Sequence, residues 1–154
     1  MKQKRMIEEG AVFLVPLPAA GFGVGVVIRR DGKGRVYGAF FAPRVEHASD
    51  VDVSLLRDED AILRCRFGDY GLHHQRWPVI GSVPGWASQR WSLPKFVRGH
   101  DDPRLCFVTT YGDDLRCIDE QLLPVVEVPR LPHDSQLGSA IVEAKLAKLL
   151  GGSE

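Results

Sequence analysis

The sequence lacks the features that mark secreted, membrane-spanning or zinc-binding proteins. Its three cysteines are odd in number and show no C-x-x-C spacing, so neither a disulfide framework nor a zinc site is indicated. No apolar run reaches the length of about 18 residues that a membrane-spanning helix needs, and no signal-peptide core follows the basic first residues. We therefore expect a soluble, cytoplasmic protein in which Cys65, Cys106 and Cys117 are buried thiols.

The chain also lacks an overall charge. Its 20 Lys and Arg residues balance its 20 Asp and Glu residues, so no global field draws the protein to nucleic acid or to a membrane surface. The charges nevertheless lie in blocks. Seven acids fall within residues 46–69 and six within 101–120, whereas none lies between Tyr70 and His100. Ion pairs between neighbouring strands are the simplest explanation of these blocks.

Motifs for catalysis and for cofactor binding are missing as well. Residues 21–25 read G-x-G-x-G and lack the third glycine of a dinucleotide-binding loop. His73 and His74 are adjacent, and adjacent side chains on an extended segment point to opposite faces, so they cannot easily share a metal ion. Ser82 stands second, not third, within residues 81–85 and so does not form a nucleophile elbow. We predict that the protein is not an enzyme and that it holds no cofactor or metal ion.

The sequence does contain one distinctive segment, residues 67–98, which we call the Trp/Arg segment. Its aromatic and basic side chains alternate, at Arg76, Trp77, Trp86, Arg90, Trp91, Lys95 and Arg98. Pro78, Pro84 and Pro94 exclude a long helix here, because proline removes a backbone donor and clashes with the preceding turn. Short strands and ordered loops are therefore expected.

Short apolar runs rich in β-branched and aromatic residues predict strands in the rest of the chain. These runs are residues 11–17, 22–30, 35–41, 61–67 and 104–111, with a weaker one at 115–118. Glycines in and beside the first runs predict strong bending of the sheet. Residues 54–60 predict one helical turn capped by Ser54, and the proline-rich residues 122–132 predict an extended surface segment.

One helix is predicted, over residues 137–150. Its expected apolar face consists of Ile141, Val142, Leu146, Leu149 and Leu150, and Glu143, Lys145 and Lys148 are expected off that face. The predicted fold is therefore α+β and mainly β. We expect a single domain over residues 1–154, with a strongly bent antiparallel sheet or small barrel and a C-terminal amphipathic helix.

The Trp/Arg segment also carries a resemblance to a known family. It reads Phe67-Gly68-Asp69-Tyr70-Gly71-Leu72, then Arg76-Trp77-Pro78-Val79-Ile80-Gly81, Pro84-Gly85-Trp86 and Trp91-Ser92-Leu93-Pro94-Lys95-Phe96-Val97-Arg98. With residues 10–17 and 21–23 at the start and 137–146 at the end, this pattern resembles the immunity protein 26 family of bacterial polymorphic toxin systems. Residues 46–60 do not match the pattern.

The resemblance implies a cytoplasmic bacterial protein that binds a cognate toxin domain and blocks it by covering it, without chemistry of its own. It identifies neither the toxin nor the oligomeric state. Candidate anchors for the toxin are Trp86, Arg90 and Trp91 in the Trp/Arg segment. Acidic side chains are the other candidates, suited to a toxin with a basic nucleic-acid groove: Asp58, Glu59, Asp60, Asp101 and Asp102.

A second function stays open at this point, namely a small β-barrel module that binds nucleic acid through residues 70–100. Such modules stack bases on aromatic rings and pair phosphates with cations, which Arg76, Arg90, Lys95 and Arg98 could supply. The balanced net charge weighs against this interpretation.

Overall fold

Two antiparallel sheets and a C-terminal helix make up the fold in the computed structural model, which describes residues 7–151. In chain order the strands are β1 (Ala11–Pro16), β2 (Phe22–Arg30), β3 (Arg35–Val45), β4 (Leu63–Gly68), β5 (Val79–Ser82), β6 (Phe96–Gly99), β7 (Leu105–Tyr111), β8 (Cys117–Pro124) and β9 (Gln136–Leu137). The helices are the single turn α1 (Tyr70–His73) and the longer α2 (Ser139–Leu149). Short 3-10 turns lie between β3 and β4, in the Trp/Arg segment and after β8.

The larger sheet has six strands in the order β5-β1-β2-β3-β4-β9, and the smaller has three in the order β6-β7-β8. All neighbouring strands are antiparallel except β4 and β9, which pair in parallel. Because β5 and β9 remain as free ends, the large sheet is bent but not closed. The α+β, mainly β class with a bent sheet and a C-terminal helix is confirmed.

The large sheet is buried on both faces. In β1, Phe13 and Val15 point to the face covered by α1, α2 and Trp77. Val12 and Leu14 belong to a separate core cluster on the opposite face, together with Trp91, Phe96 and Leu115. Burial on both sides explains why the strands read as continuous apolar runs rather than as alternating patterns.

Two glycines make room for the aromatic rings of this core. A Cβ atom on Gly25 would lie 2.5 Å from the ring of Phe13, and one on Gly38 would lie 2.9 Å from the ring of Phe67. The pairing of β2 with β3 also shifts register twice, and such bulges increase the local twist and bend of a strand. The glycines therefore serve close packing as well as the predicted bending.

The helix differs from its prediction in which face it buries. Val142, Glu143 and Leu146 are buried, whereas Ile141 and Leu149 are each 51% exposed. The prediction that Glu143 lies off the buried face was wrong, because distant side chains bind its carboxylate and remove the cost of burying it.

Three smaller expectations also need correction. Cys117 is exposed at the start of β8, although Cys65 and Cys106 are buried as predicted. The segment before β4 contains three 3-10 turns instead of one helical turn, and Asp52, not Ser54, accepts the capping hydrogen bond. Strand β8 extends through Pro124 into a region where no sheet was predicted.

Within residues 7–151, no helix is long and apolar enough to cross a membrane.

Candidate functional site

The first half of the Trp/Arg segment is a packing element rather than an exposed ribbon. Trp77 is fully buried, and its ring stacks on Phe13 with 5.7 Å between centroids and 2° between planes. A Cβ atom on Gly71 would lie 2.6 Å from the Trp77 ring, so only glycine fits beneath it. These residues of the family pattern fix the core between the large sheet and α2.

A buried carboxylate attaches α2 to this core. Glu143 accepts hydrogen bonds from Nε and Nη2 of Arg76, each at 2.7 Å, and from Nε1 of Trp77 at 2.9 Å. The hydrogen bonds from Arg76 hold the pKa of Glu143 below its usual value, although partial burial opposes them. Arg76 and Trp77 therefore act together as the docking site for the helix.

A second charged cluster joins the two sheets. Arg66 on β4 donates to Asp134 at 2.6 Å, and the hydroxyl of Tyr111 on β7 donates to the same carboxylate oxygen at 2.6 Å. The Arg66 guanidinium also lies 4.5 Å from the centroid of the Tyr111 ring. Desolvation raises the pKa of Asp134, but its hydrogen bonds and the charge of Arg66 outweigh desolvation and lower the pKa overall.

These polar clusters do not form a metal site. In the part of the chain that the structure describes, no group of three His, Cys, Asp or Glu side chains could hold a metal ion.

The second half of the Trp/Arg segment forms a loop over the other face of the large sheet. We call residues 83–92 the tryptophan loop. Trp91 is buried against Phe41, and its ring centroid lies 5.4 Å from that of Trp86. Trp86 is half-buried and covers Gly10, where a Cβ atom would lie 2.9 Å from the indole. Of the two candidate anchors, Trp86 reaches the surface and Trp91 supports it from below.

The tryptophan loop faces residues 46–60, which we call the acidic segment. A cleft of about 430 Å³ separates them and brings together four of the candidate residues, namely Asp58, Glu59, Arg90 and Trp91. The remaining candidates lie outside this cleft: Asp60 beside it, Trp86 in the loop, and Asp101 and Asp102 in the turn between β6 and β7.

Asp58 holds the two walls of the cleft together. Its carboxylate accepts hydrogen bonds from Nη1 of Arg64 at 2.5 Å and from Oγ of Ser92 at 2.9 Å, and Nη2 of Arg64 binds its carbonyl oxygen. The Asp58 side chain is only 17% exposed. In contrast, the exposed carboxylates of Glu59 and Asp60 have no hydrogen-bond or ion-pair partner among residues 7–151.

A second, more apolar groove of about 240 Å³ lies on the other side of the acidic segment. Leu55 lines this groove together with Asp52 and Asp60, and its side chain is 66% exposed. Asp52 is fixed by Ser54, whose hydroxyl donates to it at 2.5 Å and holds its pKa below the usual value. The sequence alone does not identify Leu55 as a candidate; its one signal is a pair of leucines within the otherwise polar residues 54–60.

The two acids at the turn between β6 and β7 belong to a separate region. Asp102 is bound by Arg104, with Nη2 at 2.9 Å, and hydrogen bonds from Arg104 lower its pKa. Asp101 is exposed in the same turn.

The structure removes much of the basis for a nucleic-acid surface on residues 70–100. Two of the cations proposed to pair with phosphates are engaged by carboxylates, Arg76 by Glu143 and Arg98 by Glu120 at 2.8 Å. Two of the three indole rings, those of Trp77 and Trp91, are buried and cannot stack on bases.

Comparison with known proteins identifies a family. The family model described as Immunity protein 26 matches residues 8–102, which is more than half of the chain. The chain belongs to the immunity protein 26 family. No curated protein and no solved structure matches it.

The match covers β1 to β6 and the turn after β6, and it therefore includes both the Trp/Arg segment and the acidic segment. The resemblance of the Trp/Arg segment to this family is confirmed. The resemblance proposed for the terminal helix lies outside the matched residues and stays a prediction.

Proposed function

We propose that this immunity protein binds a cognate bacterial toxin domain and neutralises it by covering it, with the acidic segment and the tryptophan loop as the contact surface. Membership of the immunity protein 26 family supports the role in immunity. The observation that carries the choice of surface is the exposed Leu55 in one groove with Asp60, whose carboxylate has no partner among residues 7–151.

The charge of the acidic segment favours a basic partner. Six of its residues are Asp or Glu and one is Arg. Glu59 and Asp60, which have no partner among residues 7–151, can pair with cations of another protein. Acidic surfaces of this kind steer a basic partner towards the complex and exclude other partners. A toxin with a basic groove for nucleic acid would supply the complementary surface.

The apolar groups provide the remaining part of the interface. Stable interfaces place aromatic or aliphatic anchors near the centre and polar groups at the rim. Leu55 is exposed and Trp86 is half-buried in this surface, and Arg90 lines the cleft. Asp58 and Trp91 contribute indirectly, because they hold the acidic segment and Trp86 in place.

Blocking by coverage needs no catalytic group on the immunity protein, and we propose that this chain is not an enzyme. A standard interface buries about 800 Å² on each partner. Two adjacent surface segments with a cleft between them can provide an area of that order.

A growth assay tests the proposed function. A toxin domain encoded next to the gene would be expressed in a bacterial host with and without this chain. We expect the chain to restore growth and to co-purify with the toxin domain in a stoichiometric complex. Growth arrest that persists despite well-expressed, folded chain would overturn the proposal.

A further inference from the structure

Strand β8 is an uncovered edge of the small sheet. Its inner side pairs with β7 from Leu105 opposite Pro124 to Tyr111 opposite Cys117. The opposite edge of this sheet is different, because residues 132–134 cover the outer side of β6 with backbone hydrogen bonds to Val97 of 3.0 and 2.7 Å. Within residues 7–151 no strand pairs with the outer side of β8. An edge of this kind presents unpaired N–H and C=O groups to an incoming strand.

The free edge is also long, and no proline interrupts the middle of the strand. Strand β8 has eight residues, whereas β5 and β9 at the edges of the large sheet have four and two. A register shift near Tyr111 and the proline at Pro124 limit its two ends. Between these limits there is no proline, and the charged side chains are the two acids Asp119 and Glu120.

The side chains of β8 combine exposed apolar and acidic groups. Ile118 is 67% exposed and Leu122 is 47% exposed. Ile118 lies at the register shift, between Cys117 and Asp119, whereas Leu122 lies in the regular part of the strand opposite Phe107. Asp119 and Glu120 stand between them. Glu120 is bound by Arg98 and by the hydroxyl of Thr109, but the carboxylate of Asp119 has no partner in the described part of the chain.

One register of pairing between β8 and a second copy of itself brings like charges together. The antiparallel register that places Ile118 of one copy opposite Leu122 of the other also places the two Glu120 side chains opposite each other. Like charges directly opposite destabilise a pair of strands. A strand with basic side chains at the central positions removes this repulsion and gains attraction instead.

We propose that β8 binds an extended segment of a partner protein, which adds a fourth strand to the small sheet. In the antiparallel direction, the partner segment reads apolar, any residue, basic, basic, apolar. Its apolar residues pack against Leu122 and Ile118, and its basic residues lie opposite Glu120 and Asp119. Backbone hydrogen bonds supply affinity in this mode of recognition, and the side-chain pairs supply selectivity.

This inference does not depend on the proposed toxin surface. Strand β8 belongs to the small sheet and lies outside residues 8–102, the part matched by the family model. The acidic segment precedes β4 of the large sheet. The two surfaces can therefore be tested separately.

The test uses a capped synthetic peptide, Thr-Thr-Val-Thr-Lys-Arg-Val-Thr-Thr, titrated into the full chain labelled with nitrogen-15. We expect amide shifts in β8 and in the adjoining strand β7. A control peptide with two glutamates in place of the basic pair should bind at least tenfold more weakly. Equal binding of the two peptides, or shifts confined to the acidic segment, would overturn the proposal.

Two protein variants complete the test. Asp119→Lys should weaken binding of the basic peptide about tenfold, because an attraction becomes a repulsion. Asp101→Lys makes the same charge change at an exposed position in the turn between β6 and β7 and should leave binding within twofold of the unmodified chain. Similar weakening by both would show that net charge alone attracts the peptide and would contradict the proposal. The proposal would also be contradicted if the chain alone formed a dimer. Sedimentation would then show concentration-dependent association, and the β8 amide signals would shift with concentration.

Discussion

The Trp/Arg segment and the acidic segment use their charged side chains in opposite ways. In the first, Arg76 and Trp77 donate hydrogen bonds to the buried carboxylate of Glu143, and Trp91 lies in the core. In the second, Glu59 and Asp60 face solvent without a partner among residues 7–151. A residue pattern that stands out in a sequence can therefore belong to the fold, and we propose binding at the surface where charged groups have no partner within the described residues.

The largest loss of stability is expected when Trp77 of the Trp/Arg segment is replaced. Replacing it with alanine removes a fully buried ring and leaves Glu143 without one of its donors. We expect the free energy of unfolding to fall by about 3–5 kcal/mol, as for other buried aromatic residues. Urea denaturation measures this change. A loss below about 1 kcal/mol would show that the Trp/Arg segment does not hold the fold.

The matched control is Trp86→Ala. This ring is half-buried in the tryptophan loop, so its removal should cost clearly less stability than removal of Trp77.

A smaller effect is expected when Glu143 is replaced by glutamine. The change keeps the shape of the side chain but removes the ion pair with the half-exposed Arg76, whose side chain is 55% exposed. Because solvent screens that guanidinium, we expect a loss of only about 1–2 kcal/mol at neutral pH.

The pH dependence of this difference provides a second measurement. The pKa of Glu143 is lower in the folded chain than in the unfolded chain, because Arg76 stabilises the carboxylate. The ion pair therefore adds stability above the unfolded value of about 4.3 and loses it as the pH falls through the folded value. Urea curves should show the difference between Glu143→Gln and the unmodified chain shrinking in acid. A difference that grows in acid would contradict this account.

The smallest effect on stability is expected at Leu55. Because this side chain is 66% exposed, Leu55→Ser should change the free energy of unfolding by less than about 0.5 kcal/mol. Affinity for the toxin domain should nevertheless fall about tenfold, as expected for an apolar anchor at an interface. Calorimetric titration measures the affinity. The control is Ile141→Ser, which alters a 51% exposed residue of α2 and should leave the affinity for the toxin domain unchanged.

The sequence was sufficient for most of the strands and for the class of fold. Strands such as β2 are buried on both faces, and the resulting apolar runs are visible without knowledge of the tertiary structure. Burial of Glu143 was not predictable, because its partner Arg76 lies 67 residues away and helical periodicity alone places a glutamate in solvent. Local sequence propensity also cannot predict the hydrogen bonds of Asp58, because its partners Arg64 and Ser92 lie on different segments.

The candidate site could be predicted only in part. The sequence identified Glu59 and Arg90 as candidates but not their meeting at one cleft, since that depends on how the tryptophan loop folds over the large sheet. The exposure of Leu55 could likewise not be predicted from the sequence, because leucine is more often buried than exposed.

The most direct test is the dissociation constant of the toxin complex for the double variant Glu59→Lys with Asp60→Lys, measured beside Asp101→Lys with Asp102→Lys. Both variants make the same change in net charge, and thermal unfolding of each checks that it is folded at the temperature of the measurement. If the acidic segment is the toxin-binding surface, the first variant should bind at least 100-fold more weakly and the second within threefold of the unmodified chain. Unchanged affinity of the first variant, or an equal loss in both, would contradict the central claim.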